Sequence, residues 1–356
     1  KINLDQLAES TAILIRFLDN VVTWNEDLNA LEKQRVAASE TRRLGLGIMG
    51  IADMLNQLGI GYDSEEGIKI IAKVMEFITN AAYQASASLA AEKGASPIYS
   101  EEEYMECPFM KTALSNETQS LIRENGIRNI AIMSIAPTGS ISNIVKGIQV
   151  EGKNYIGVSG GVEPIFALYY TRRTESFKEN EFYNVFHSTI QAFIDKMGLE
   201  EEVKMADKIE DVLPDYFLRT AHHIKPDKRV EIQSMIQRYI DHSISSTINL
   251  PEDVQPEVIS DIYLKAWKKD LKGVTIYRDG SRFPILSTEE EITEFQRVKE
   301  NEFKISVEGN QIITANGEEI IKLPDGTLTT VYHYLKNSDL AIEEVLNNPE
   351  FEEIKT

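Results

Sequence analysis

The chain has 356 residues, of which 42% are hydrophobic and 26% are charged, so wholesale disorder is excluded and one large or two smaller domains fit the length. Its 37 basic and 57 acidic residues give a net charge of −20, which excludes a general basic surface for nucleic acid or for an anionic membrane. The single cysteine, Cys107, excludes an intrachain disulfide and a cysteine-knuckle metal site. Without an apolar run of membrane-spanning length or a signal segment, we expect a cytoplasmic protein with no membrane partner.

Apolar spacing and capping residues predict the elements of the first half of the chain. In chain order we predict a helix over 3–24, a short helix within 25–40, a helix-like glycine stretch at 42–53, a long helix over 64–93, a helix near 117–124, a buried strand over 129–135 and a turn with helix-start chemistry at 136–143. Ser64 is the predicted N-cap of the long helix, and Gly94 and Gly126 are predicted to end the helices before them.

In the second half, predicted strands alternate with predicted helices. In chain order we predict a glycine-rich loop over 147–162 with a short strand at 155–158, a buried strand over 163–170, amphipathic helices over 181–196 and 227–242, a strand over 243–250, a helix over 256–270, a strand over 273–278 and a turn at 279–282. The alternation indicates an α/β architecture, and strands that are apolar on both faces fit burial between helices.

Composition changes after about residue 287, which predicts a domain of residues 1–287 followed by a small acidic α+β module of residues 288–356. Within the module we predict an acidic helix over 288–302, short strands joined by tight turns over 303–334 and an acidic helical tail over 339–356.

The strongest local chemical signal is the segment Pro137-Thr138-Gly139-Ser140-Ile141-Ser142, which follows the predicted strand 129–135. A glycine turn at this position exposes successive backbone N–H groups beside two or three hydroxyls, so the segment can bind an anion. The alternative is a well-capped helix in which Ser140 or Ser142 satisfies the first backbone donors, and the segment alone does not separate the two. It is not a P-loop, because the Gly-Lys-Ser/Thr ending is absent.

Three further features predict neither catalysis nor metal binding. The glycines of the 42–53 stretch follow no strand of a βαβ unit, so close helix packing is favoured over dinucleotide binding. His222 and His223 are adjacent and cannot both face one metal, so hydrogen bonding in a loop is expected. Cys107 has no nearby basic residue to activate its thiol.

Five segments in the same order resemble ribonucleotide reductase large chains, chiefly those that depend on adenosylcobalamin. They are RRLGLGIMG with ADML (42–50 and 52–55), APTGSIS (136–142), SGGVEPIFA (159–167), SSTINLP (245–251) and KGVTIYRDGSR (272–282). The resemblance covers about residues 1–286 and implies the second half of a ten-stranded α/β barrel.

The resemblance also implies a reaction, in which adenosylcobalamin breaks homolytically and a cysteine becomes a thiyl radical. A ribonucleoside di- or triphosphate then loses its 2′-hydroxyl with electrons from a cysteine pair, which an external thiol reductant restores, and the product serves DNA synthesis. The residues implied to bind the substrate phosphates are Thr138, Gly139, Ser140, Ile141 and Ser142, and those implied to line the pocket are Ser159, Gly160 and Gly161.

This chain departs from the family in its cysteines. The family's radical loop, Asn-Pro-Cys-x-Glu, and its redox cysteines have no counterpart here, and residues 287–356 contain no cysteine pair. We therefore assign no catalytic residue and no metal ligand to this chain, and we expect it to act with an N-terminal reductase chain or segment. The sequence leaves open the substrate's phosphate number, allosteric control and assembly as a homo-oligomer.

Two other interpretations remain at this point. One is a non-catalytic nucleotide-binding or assembly subunit that retains the barrel half. The other is a fragment of an iron-dependent (class I) reductase large chain, against which the ending at 273–282 favours the cobalamin type.

Overall fold

The computed structural model describes residues 1–175, 180–206, 208–279 and 281, together with the backbone of five later strands. The chain divides into two compact units, one of residues 1–169 and 186–278 and the other of residues 170–185 and 279–356. The division predicted from composition, 1–287 and 288–356, stays a prediction.

Seven helices precede the first strand, and helices and strands are mixed from there to residue 278. The helices are α1 (Leu4–Asn25), α2 (Glu32–Thr41), α3 (Ile51–Gln57), α4 (Glu65–Lys93), α5 (Glu101–Glu106), α6 (Pro108–Ala113), α7 (Asn116–Asn125), α8 (Ser188–Met197), α9 (Glu200–Met205), α10 (Pro226–Gln237) and α11 (Pro256–Lys268). The strands are β1 (Lys146–Val150), β2 (Lys153–Ile156), β3 (Tyr169–Glu175), β4 (Asn180–Phe186), β5 (Thr247–Leu250) and β6 (Thr275–Arg278). The helices predicted at 3–24, 25–40, 64–93, 117–124 and 256–270 are confirmed. The helix predicted at 227–242 is α10, which ends five residues before the predicted end.

The long helix α4 lies at the centre of the core. The Ser64 side chain accepts a hydrogen bond from the N–H of Gly67 (3.0 Å), and Gly94 ends the helix at a φ of 88°. Both end signals are those that the sequence predicts. Met75 and Tyr83 on this helix are fully buried, and α1 packs along it.

Four extended segments lie side by side and parallel in the first unit. They are residues 44–46, residues 131–135, the segment from Ile244 into β5, and β6. Leu46 bridges Met133, Ile135 bridges Ile244, and all four residues of β5 pair with β6. Helices connect each segment to the next, which is how a parallel sheet is built from βαβ units. This confirms the predicted α/β class.

The glycine stretch at 42–53 is extended up to Gly50, so its prediction as a helix-like segment is wrong. The N–H of Leu44 donates to the carbonyl of Ala131 (2.9 Å), and the N–H of Leu46 donates to that of Ile132 (2.9 Å). An added Cβ at Gly47 would lie 2.6 Å from the carbonyl oxygen of Ser134. Glycine is therefore required for the close approach of two extended segments, and not of two helices.

A buried ionic cluster holds the start of segment 131–135 against α1. The Asp19 carboxylate is fully buried and accepts hydrogen bonds from Arg42 (2.9 Å), Asn129 (3.1 Å) and Arg128 (3.3 Å). Burial raises the pKa of Asp19, but the hydrogen bond and the positive charge of Arg42 outweigh it and hold the pKa below its usual range. The cluster fixes where the parallel segment begins.

Three sequence predictions are wrong around the hairpin β1–β2. Residues 147–162 are not a simple loop, because β1 and β2 pair antiparallel across a turn at Glu151 and Gly152, both at positive φ. Residues 163–168 form no strand, and β3 starts only at Tyr169. The helix predicted over 181–196 is the strand β4 followed by α8, because the first half of that range pairs with β3.

The second unit contains the paired strands β3 and β4 and five later strands. These are β7 (Glu302–Val307), β8 (Gln311–Asn316), β9 (Ile320–Lys322), β10 (Leu328–Thr330) and β11 (Glu352–Ile354). They form an antiparallel sheet in the order β11-β7-β8 and an antiparallel pair β9–β10, so the short strands predicted over 303–334 are confirmed.

Two predicted helices of the second unit fall mostly outside the described residues. Of residues 288–302 the structure describes only Glu302, which lies in β7. Of residues 339–356 it describes only residues 352–354, which form β11. The turn predicted at 279–282 lies partly outside the described residues, as do the turns between the later strands.

Among the described helices, including the 29-residue α4, there is no apolar stretch with the length and hydropathy of a bilayer span.

Candidate functional site

The loop predicted to bind an anion follows segment 131–135 at its carboxyl end. Thr138 has a φ of 54°, in the left-handed region that β-branched residues rarely adopt, and its carbonyl accepts from the N–H of Ser142 (2.9 Å). The helix expected to start here is a single 3-10 turn, Ile141–Asn143. A turn this short has no macrodipole, so an anion would be bound by loop N–H groups and hydroxyls.

The loop divides into an exposed tip and a buried base. Gly139, Ser140 and Ile141 are exposed, whereas Thr138 is half-buried and Ser142 is buried. No described carbonyl accepts a hydrogen bond from the N–H groups of Gly139 and Ser140. Two adjacent backbone donors are therefore free at the tip, which is the feature that an anion site needs.

The segment Ser159-Gly160-Gly161 packs against this loop. Its role in lining a pocket stays a prediction. The N–H of Gly161 donates to the Thr138 hydroxyl (2.8 Å). An added Cβ at Gly160 would lie 2.8 Å from the carbonyl oxygen of Pro137 and 3.2 Å from the Thr138 hydroxyl. The structure thus brings together the two candidate segments, 138–142 and 159–161, which are separated in sequence by the hairpin β1–β2.

A buried carboxylate lies behind this pair of segments. Asp53 of α3 is 3% exposed and accepts hydrogen bonds from the backbone N–H of Ser159 (2.6 Å), the His187 ring (2.7 Å) and the Thr189 hydroxyl. Burial raises the pKa of Asp53, but the hydrogen bonds and charge of His187, with those from Ser159 and Thr189, lower it to about 2. Asp53 is therefore ionised at neutral pH.

A second buried ion pair fixes the chain beyond Gly161. The Arg229 guanidinium of α10 donates to the Glu163 carboxylate and to the carbonyl of Thr247 (2.8 Å). Glu163 also accepts from the N–H of Thr247 (2.8 Å), and the Tyr62 hydroxyl donates to the carbonyl of Val162. These contacts tie residues 162–163 to the start of β5.

A cavity of about 380 Å³ opens on the other side of Asp53. Its lining consists of Lys1, Ile2, Met49, Gly50, Asp53, Met54, Gln57, Leu58, Gly147, Ile148 and Val158. A larger space of about 520 Å³ lies among acidic residues of α5 and Arg123 and shares no residue with the candidate loop. The lining of the smaller cavity contains no residue of the loop either, but it includes Asp53, which accepts from the N–H of Ser159, and Val158, which donates to the carbonyl of Ser142.

The two adjacent histidines and the single cysteine lie outside the candidate site. The His223 ring hydrogen bonds to the Thr220 hydroxyl (2.7 Å), and the His222 ring packs edge-on against Phe166. Cys107 is exposed between α5 and α6. Within the described part of the chain, no group of three or more histidine, cysteine or acidic side chains could hold a metal ion.

Sequence reasoning did not assign a role to Asp53, His187 or Thr189. The donors to Asp53 come from residues 106 to 136 positions later, so no local pattern reveals them. The one local signal is an acidic residue in the first turn of α3, directly after the glycine stretch.

The chain is similar to reductases of known type. A family model described as the ribonucleotide reductase barrel domain matches residues 1–277. The vitamin B12-dependent ribonucleoside-diphosphate reductases of Mycobacterium tuberculosis (strain H37Rv) and Thermoplasma acidophilum are 30% and 32% identical to it over 295 residues, with 79% of this chain and 36% and 34% of those proteins covered. The ribonucleoside-diphosphate reductase subunit alpha of Chlamydia pneumoniae is 30% identical, over 76% of this chain and 27% of that protein.

A solved structure, the class Id ribonucleotide reductase alpha subunit of Actinobacillus ureae, superposes with a TM-score of 0.54. It is 21% identical, with 76% of this chain and 46% of that chain covered, and therefore supports the fold alone. The chain spans about a third of the length of the B12-dependent relatives. With the family model matching most of its length, the chain belongs to the ribonucleotide reductase barrel-domain family.

Proposed function

We propose that this chain is the C-terminal part of the catalytic barrel of an adenosylcobalamin-dependent (class II) ribonucleotide reductase, acting in the cytoplasm, and that residues 138–142 bind the substrate phosphates. The observation that carries the proposal is the position of this loop. It lies at the carboxyl end of the parallel segment 131–135, where ligands bind in α/β sheets, and its exposed tip has two free N–H donors.

The proposed substrates are ribonucleoside di- or triphosphates. The N–H groups of Gly139 and Ser140 and the hydroxyl of Ser140 would donate to phosphate oxygens, and Ser159 to Gly161 would line the pocket. Loss of the 2′-hydroxyl requires two electrons, which a cysteine pair in the remaining part of the reductase would supply and an external thiol would restore. This chain's share of the reaction is to bind and orient the nucleotide.

The described residues do not by themselves fit adenosylcobalamin. The cavity beside Asp53, about 380 Å³, lies near the lower end of the range for drug-sized ligands, and a corrinoid is larger than those. The cofactor is supported by the names of the B12-dependent relatives, and its binding residues belong elsewhere, so no step assigned to this chain involves it.

The second candidate is an iron-dependent reductase. The similarity to the Chlamydia pneumoniae alpha subunit, 30% identical, favours it, because that name carries no reference to vitamin B12. Visible absorption separates the two types, since a bound corrinoid absorbs in the visible range.

The test of the proposal is deoxyribonucleotide formation by this chain mixed with the remaining N-terminal part of the reductase and adenosylcobalamin. We expect product only in the complete mixture. Product without cobalamin but with a radical-generating subunit would establish the iron-dependent type. A stable complex that binds nucleotide and gives no product under either condition would leave a non-catalytic binding subunit.

Two variants of this chain sharpen the experiment. Ser140→Pro removes a proposed phosphate donor at the exposed tip, and we expect a rise of at least tenfold in the KM for substrate. Cys107→Ser is the control, because its thiol is exposed and lies outside the site, and the variant should keep full activity. Loss of activity in Cys107→Ser would contradict the assignment of all redox cysteines to the remaining part.

A further inference from the structure

The Asp53 carboxylate joins two separate parts of the chain to α3 through three donors. Ser159 approaches it from the irregular segment after the hairpin, His187 from the residue before α8, and Thr189 from the first turn of α8. Ser159 is held on both sides, because its carbonyl accepts from the N–H of Gly50 (2.8 Å), at the start of the helix that carries Asp53. The position of Ser159 is therefore set by α3.

From Ser159 the restraint passes directly to the candidate phosphate loop. The N–H of Val158 donates to the carbonyl of Ser142 (2.9 Å), and the N–H of Gly161 donates to the Thr138 hydroxyl (2.8 Å). Residues on both sides of Ser159 thus hold the two ends of the loop. Thr138 keeps its left-handed backbone between these contacts, which is a conformation that the surroundings must enforce.

An ionised carboxylate suits this junction because it only accepts hydrogen bonds. Ser159 presents a backbone N–H, which cannot reverse its role, whereas the His187 ring and the Thr189 hydroxyl can each rearrange their protons. A buried backbone donor left without an acceptor is costly, so removal of the carboxylate should release Ser159 from its place.

We infer that Asp53 is a positioning residue for the phosphate loop, acting through Ser159 to hold Thr138 and Ser142 in the arrangement that leaves the loop tip free to bind an anion. This inference rests on the proposed phosphate site, and it adds a residue that touches neither substrate nor cofactor.

The test uses the full 356-residue chain, with inorganic pyrophosphate as the probe and amide hydrogen exchange as a second readout. In Asp53→Ala we expect at least tenfold weaker pyrophosphate binding and at least tenfold faster exchange in 138–142 and 159–161. Asp53→Asn can still accept from the N–H of Ser159, so it should recover most of both losses. Exchange in the core of α4 should stay as in the parent chain, which a general loss of stability would not allow.

Asp195→Ala and Asp195→Asn are the matched controls. The Asp195 carboxylate lies on α8 and accepts from the hydroxyl of Tyr155 (2.7 Å) and the amide of Gln191 (2.6 Å), so it holds the hairpin and not Ser159. Pyrophosphate binding in these controls should stay within twofold of the parent chain.

The outcomes separate the positioning role from the phosphate site. A parent chain that does not bind pyrophosphate overturns the phosphate site, and faster local exchange in Asp53→Ala would still establish the positioning role. Unchanged exchange and binding in a folded Asp53→Ala overturn the positioning role alone. If Asp53→Ala fails to fold, Asp53→Asn decides. Its amide oxygen should keep exchange at Ser159 close to that in Asp195→Asn, and exchange at Ser159 at least tenfold faster in Asp53→Asn would overturn the positioning role.

Discussion

Single residues determine how closely the two candidate segments approach. Gly160 lies so near Pro137 and Thr138 that any side chain would collide with the loop, and Gly161 has a φ of 40° with its α-carbon facing Ala136. The arrangement of the site therefore requires residues without a side chain at these two positions, as well as the hydroxyls of the loop.

We predict that Gly160→Ala weakens pyrophosphate binding at least tenfold, because the added methyl group would lie 2.8 Å from the carbonyl oxygen of Pro137 and displace the loop. Gly273→Ala is the matched control, since an added Cβ there meets no atom within 4 Å. Calorimetric titration of both variants measures the effect, and equal affinities would show that the loop tolerates displacement.

The lowered pKa of Asp53 makes the stability of the folded chain depend on pH. Its pKa in the folded chain, about 2, lies below the ordinary value of 3.8, so the ionised form favours folding by about 2 kcal/mol. This stabilisation is complete above about pH 5 and is lost as the pH falls from about 4 through 2. The difference in free energy of unfolding between the parent chain and Asp53→Asn should therefore narrow between pH 6 and pH 3 in urea titrations. A difference in free energy of unfolding that stays constant over this pH range would contradict the prediction.

The loop residues could be proposed from the sequence because their types carry the chemistry locally. Glycine, serine and threonine after an apolar strand suit an anion site or a capped helix, and the resemblance to the reductases favours the anion site, which stays a prediction. Asp53 could not be assigned in this way, since an aspartate in a first helical turn is equally typical of a simple helix start. Its role depends on donors that only the tertiary fold brings to it.

At the scale of elements, the predictions succeeded where local signals mark both ends of a segment. The helix α4 has a serine N-cap, acidic residues in its first turn and a glycine after its last. The segment 42–50 lacks such signals, and its hydrogen bonds go to residues 131–134, so tertiary pairing decides its conformation. The same holds for 181–186, where pairing with β3 overrides a spacing that suits a helix.

We predict that Gly47→Ala lowers the free energy of unfolding by about 1–3 kcal/mol, because the methyl group would push apart two hydrogen-bonded extended segments. Gly45→Ala is the matched control two residues away, where an added Cβ meets the side chain of Ser134 at an ordinary 3.9 Å. Urea denaturation of the two variants provides the comparison. A destabilisation of equal size in both would mean that the close approach at Gly47 does not account for the effect.

At the scale of the whole molecule, the outer face of α1 is an exposed apolar stripe. Ile13, Phe17 and Trp24 are 60%, 59% and 76% exposed, and Leu14 and Val21 lie between them. The opposite face, with Ile15 and Asp19, is buried against the core. Exposed apolar stripes of this kind are typical of surfaces that another protein segment covers.

We predict that Trp24 becomes buried when the remaining part of the reductase is added. Trp267 is the second tryptophan and is also exposed, so Trp267→Phe leaves Trp24 as the only reporter. We expect a blue shift of its emission and at least threefold weaker quenching by acrylamide in the complex. Trp24→Phe with Trp267 retained should show neither change, and an unshifted Trp24 in a proven complex would mean that this face stays in water.

The parallel arrangement also determines the order in which the chain can acquire its structure. Segment 44–46 can pair only after Met133 has been synthesised, and segment 131–135 can pair on its other edge only after Ile244 has been synthesised. Such distant pairings make folding slow, because a long loop must close before any contact compensates for its lost entropy. During synthesis the first extended segment therefore leaves the ribosome long before its neighbours exist. Throughout that interval its free edge can pair with another nascent chain, so crowded expression favours aggregation.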